Sequence, residues 1–144
     1  MSTLSISELT SLFEAGQLPD GPFTHRDHVR VAWKLLRHYP LGLALHHMTE
    51  GVKTLAHQRD VPDLYHSTIT TIYVLAIAER ITGSEGLDDF EAFAAEYPEL
   101  LGPSRQFLLG FYTAETLDSS RARDEFVLPE RRPVKLEPSL TFSS

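Results

Sequence analysis

Cysteine is absent from the 144 residues. Its absence excludes a disulfide framework, a thiol nucleophile, a Cys-ligated zinc site and an iron–sulfur cluster. Long apolar stretches are missing too, since no run approaches the roughly 18 residues of a membrane-spanning helix. The opening residues Met1-Ser2-Thr3-Leu4-Ser5 hold neither the basic nor the apolar segment of a secretory signal. The expected location is therefore the cytoplasm, with no membrane contact. Positive charge is scarce: 13 Lys and Arg against 20 Asp and Glu leave a formal charge of −7. That sign excludes a non-specific nucleic-acid binder, which needs a basic face. Two metal patterns of helical proteins, E-x-x-H pairs and H-E-x-x-H, do not occur. What remains is an ordinary soluble composition, 42% apolar and 23% charged, on a chain long enough for a real core.

The apolar periodicity is helical nearly throughout. Ser5 or Ser7 caps a first helix with Leu9, Leu12 and Phe13 on one face and a stop near Gly16. After the turn Pro19-Asp20-Gly21-Pro22, Thr24 is an N-cap with Asp27 at the capping-box position. The helix it opens runs to about His38, with Val29, Trp33 and Leu36 as its core stripe. Pro40 opens a third, whose apolar positions are Leu41, Ala44, Leu45, Met48, Val52 and Leu55. The stretch from Leu64 to Thr82 is rich in β-branched residues, which favours a strand. It is too long for one, however, and its start at Pro62-Asp63 and stop at Gly83 predict a buried helix. A loop over residues 83–86, an acidic helix opening at Leu87, a short helix after Ser104 and one helical turn between Ala114 and Asp124 follow. Beyond Phe126 come Pro129, Pro133 and Pro138 with no period, which predicts an extended arm. The expected fold is all-α: a single, mainly antiparallel bundle of about five to seven helices over residues 1–126, with a C-terminal arm over 127–144. Trp33 and Ile72 are expected to be buried, and the helices starting near Thr24 and Leu64 to be central neighbours.

The candidate site is built on histidines. His25 and His28 are spaced i, i+3 in the first turn of the second helix, on the side continued by Ala32 and Leu35. His66 is expected in the first turn of the central helix. Two helix starts converging at one end of a bundle would gather three imidazoles, a set able to hold zinc or another divalent metal with one position open. The same set without metal offers a general base near neutral pH, and a third reading makes the rings buried structural groups. Arg30, Arg105 and Arg123 are cations with apolar neighbours, able to clamp a carboxylate, though Arg123 suits tying the arm down better. Arg30, Tyr65, Thr70 and Tyr73 are the candidate substrate contacts. His46-His47 cannot easily chelate together, His38 and His57 fall at helix ends, and Asp88-Asp89 with Glu91 reads as a solvated face.

Three segments carry a resemblance: Phe23-Thr24-His25-Arg26-Asp27-His28-Val29-Arg30-Val31-Ala32-Trp33, Tyr65-His66-Ser67-Thr68-Ile69-Thr70, and the run from Leu117 to Pro129. Together they resemble a family of small uncharacterised bacterial helical proteins with F-x-H-x-x-H-x-R-x-A-W, Y-H-E-T-x-T and A-R-x-x-F-x-x-P-D segments. Two positions depart, Ser67 for the family's glutamate and Glu130 for its final aspartate. The resemblance brings no activity with it. It implies a place beside natural-product biosynthetic enzymes, where a small helical protein can serve as a partner subunit. The expectation is thus a histidine-lined small-molecule site, with or without a divalent metal, acting in small-molecule metabolism. The alternative is a non-catalytic helical partner of a larger biosynthetic enzyme.

Overall fold

The computed structural model describes residues 4–83 and 88–136. Among them are eight α-helices, two 3₁₀ turns and no strand, so the all-α class is as expected. No helix among the described residues is long and apolar enough to cross a membrane. The chain divides into two compact units, Met1–Tyr65 and His66–Ser144.

The first unit holds α1 (Ile6–Ala15), α2 (His25–His38) and α3 (Leu41–Gln58), with a 3₁₀ turn at Pro62–Leu64. Ser5 caps α1 in a full capping box: its hydroxyl accepts the Glu8 N–H at 3.1 Å while the Glu8 carboxylate accepts the Ser5 N–H at 3.0 Å. Gly16, at φ 68°, ends α1 in the left-handed region that a residue with a Cβ avoids. Thr24 and Asp27 form the second box as their spacing predicts, at 3.2 and 3.0 Å. Only Tyr39-Pro40 separates α2 from α3, so α3 folds back beside α2, and α1 packs on both. The closest approach is at Gly51, where a Cβ would lie 2.2 Å from the Phe13 ring. Trp33 is buried as expected, and Val31 and Leu35 join Val29 and Ala32 in the core.

The second unit begins with α4 (Ser67–Thr82), a helix despite its β-branched composition. It buries Thr68, Thr71, Ile72, Tyr73, Val74, Ala76, Ile77 and Ala78, so contacts on several sides override the local preference of these residues. Its start differs from expectation, because Pro62–Leu64 is a separate turn and His66 is the N-cap rather than a first-turn residue. Next come α5 (Phe90–Glu96), a 3₁₀ turn at Pro98–Leu101, α6 (Ser104–Leu109), α7 (Ala114–Leu117) and α8 (Ser120–Asp124). The single turn expected between Ala114 and Asp124 is two helices, since Thr113 caps one and Ser119 the other; this takes the count past seven. Asp89 caps α5, accepting the Ala92 N–H at 2.8 Å, while Asp88, Asp89 and Glu91 are exposed, as a solvated face requires. The expected loop residues 84–86, the helix opening at Leu87 and Pro138 lie outside the described residues.

The described part of the arm, up to Leu136, packs on its own unit. Val127 and Val134 rest against a cluster of Ile72, Tyr73, Leu108, Phe111, Tyr112 and Leu117. The buried Thr68 hydroxyl donates to the Glu125 carbonyl at 2.9 Å and accepts the Val127 N–H at 3.0 Å. Tyr112 donates to the Val127 carbonyl. Glu130 accepts from both the N–H and the hydroxyl of Thr113, so its carboxylate anchors the arm to the start of α7.

Candidate functional site

In the first unit the mouth of α2 gathers the polar side chains. Asp27 has two tasks: one carboxylate oxygen accepts the Thr24 N–H and the other the Arg30 guanidinium at 3.3 Å. Arg30 also donates to the Leu4 carbonyl at 3.3 Å, which ties the lead-in to α1 to the first turns of α2. His28 meets the edge of Phe23 with ring centroids 4.6 Å apart, and Phe23 stacks on Phe13 at 5.7 Å. Burial, and after it the nearby His25, brings the His28 pKa down to about 4 against the pull of Asp27. His28 is therefore neutral at ordinary pH and belongs to an aromatic wall.

Beside that wall lies a cleft of about 490 Å³. Leu4, Leu9, Leu18 and Phe23 give its lining an apolar part, and Arg30 and Arg59 line it as well. It exists because the α1–α2 connection cannot lie flat: Pro19 and Pro22 fix two φ angles and Gly21 sits at φ 126°. The end of α3 holds that connection open. Gln58 donates to the Gly16 carbonyl at 2.7 Å, and Arg59 reaches the Pro19 carbonyl at 3.4 Å.

A second polar group spans the three helices of this unit. The Tyr39 hydroxyl donates to Glu14 at 3.0 Å, and His47 Nδ1 lies 3.5 Å from the same oxygen. The Tyr39 and His47 rings stack at 4.6 Å, and the Glu14 bond raises the Tyr39 pKa. This brace borders a smaller cavity of about 180 Å³. Lys53 sits over the Tyr65 ring at 5.3 Å, so Tyr65 pairs with a cation at the end of the unit.

The second unit commits its candidate residues differently. His66 Nδ1 accepts the Ile69 N–H at 3.2 Å, so it carries a lone pair, and Nε2 donates its proton to the Leu117 carbonyl at 2.9 Å. Nδ1 thus caps the start of α4, and Nε2 ties it to Leu117 in α7. Thr70 closes the first turn of α4 through its backbone, 3.0 Å from the His66 carbonyl. Tyr73 stacks on Phe107 at 5.0 Å, and burial raises its pKa, with Ser104 at its hydroxyl. Arg105 clamps a carboxylate as its chemistry suggests, but that of Asp118, bidentately at 3.0 and 3.2 Å. Ser67 is the first residue of α4.

Among the candidates, then, His25, His28 and Arg30 share one helix start, Tyr65 closes the same unit, and His66, Thr70 and Tyr73 belong to α4. No three His, Asp or Glu side chains among the described residues are grouped to hold a metal ion. The chain matches no protein-family model, no curated protein and no solved structure. Sequence reasoning missed Arg59 and the Glu14–Tyr39–His47 brace. A positive-φ residue, Asp60, follows Arg59, and Pro62 lies just beyond it. That marks a turn but not the cleft that Arg59 lines. Glu14, Tyr39 and His47 lie too far apart in sequence to form a spacing motif.

Proposed function

We propose that the first unit binds a small molecule in the cleft between the α1–α2 connection and the mouth of α2. The observation that carries this reading is the cleft itself, about 490 Å³ and lined by apolar residues together with two arginines. Small-ligand sites commonly span roughly 300–1,000 Å³ and combine apolar walls with a few polar groups that orient the ligand. Arg30 keeps the role of a ligand contact, oriented by Asp27 and Leu4. His28 stands behind Phe23 and shapes the wall as a neutral ring. On this reading the protein serves small-molecule metabolism as a binder, with its polar groups placed to recognise a ligand. A fragment screen mapped on the ¹⁵N–¹H spectrum tests it. Hits should shift the amides of Leu4, Phe23 and Arg59 together. Hits that cluster elsewhere and leave those amides unmoved would contradict the reading.

A further inference from the structure

We infer that the ligand of this cleft is an organic monoanion, a carboxylic acid with a compact apolar body, whose head group is held by Arg59 beside Arg30. The inference rests on the cleft reading above and adds its chemistry. Four charged side chains border the space: Arg30, Arg59, Asp20 and Asp27. Asp27 and Arg30 satisfy each other at 3.3 Å, with Asp27 also bound to the Thr24 N–H, so that pair presents little net charge. Arg59 differs. Among the described residues the one hydrogen bond of its side chain is the long 3.4 Å contact to the Pro19 carbonyl, which leaves most of a planar donor fork for a partner. A guanidinium prefers a carboxylate, which accepts two parallel N–H bonds in its plane. Asp20 is the other lining charge with no bonded partner among the described residues, and it disfavours a second negative charge on the ligand. A phosphate dianion is therefore a worse fit than a carboxylate. Leu4, Leu9, Leu18 and Phe23 in the same lining offer the apolar surface a hydrocarbon body needs.

Straight-chain and aromatic acids share this chemistry, so the test uses both. Hexanoate, phenylacetate, hexanamide and hexylamine are titrated into the protein and followed at the Phe23 and Arg59 amides. At least one acid should bind about tenfold more tightly than hexanamide, with hexylamine weaker still. Which acid wins separates an aliphatic from an aromatic body. Arg59→Gln should abolish the preference for acid over amide, and Arg59→Lys should restore part of it. The Tyr39 and Trp33 resonances, away from Arg59, report that each variant is folded. Hexanamide binding in the cleft as tightly as the acids would overturn the monoanion assignment and leave the cleft reading standing. Probes that all fail to shift the cleft amides would overturn both.

Discussion

Residues 1–65 carry six of the seven histidines and nearly balanced charge, with seven acidic and six basic side chains. Residues 66–144 carry one histidine and thirteen acidic against seven basic side chains, so the excess negative charge is concentrated there. The uses of these groups differ as well. In the second unit His66, Thr68, Tyr112, Arg105 and Glu130 each bond another part of the same unit. In the first, the Ser5 and Thr24 caps are satisfied, while Arg59, with one long side-chain bond, lines a cleft together with apolar residues. A histidine is therefore no guide to function by itself. His66, with both ring nitrogens bonded, caps α4 and ties it to α7, and in the first unit the group argued to have donors left is Arg59.

The largest expected contrast between the units is in acid. His28 has a folded pKa of about 4 against about 6.5 in an unfolded chain. Below about 6.5 the unfolded state takes up the proton first, so stability present at neutral pH is lost as pH falls toward 4. The full loss is on the order of 3 kcal/mol. Trp33 lies in α2, the same helix, and its fluorescence reports urea unfolding of this unit. The midpoint should fall from pH 7.5 to 4.5 in the wild type and far less in His28→Leu. An equal fall in both would place the acid sensitivity elsewhere.

Thr68→Val tests the second unit. It leaves the Val127 N–H and the Glu125 carbonyl without the buried hydroxyl that serves both, at a cost of about 2 kcal/mol. The loss should appear in urea unfolding and as faster hydrogen exchange at Val127. Binding at the Phe23 and Arg59 amides should not change. A binding loss equal to that of a cleft variant would break the separation of roles.

The helices and most caps were legible because their signals are local: Ser5 with Glu8, Thr24 with Asp27, and Gly16 act within one turn. Even α4 was readable, since length outweighed its β-branched residues. The split of the chain after Tyr65 was not, because it depends on contacts between distant residues. The proposed cleft was legible only in part. Arg30 could be picked out from its neighbours, whereas Arg59 becomes relevant only when the end of α3 returns to the α1–α2 connection. The engagement of His66 with Leu117 spans 51 residues, and no spacing rule anticipates it.

The claim that His66 is a structural brace, with ligand chemistry confined to the first unit, is tested most directly by its imidazole nitrogens. A long-range ¹H–¹⁵N spectrum distinguishes the tautomers, and zinc can be added to the same sample. The account predicts that His66 is protonated at Nε2, with Nδ1 accepting, and that stoichiometric zinc leaves both nitrogens unmoved. A His66 signal that shifts together with those of His25 and His28 at one equivalent of zinc would contradict it and establish the three-histidine metal site instead.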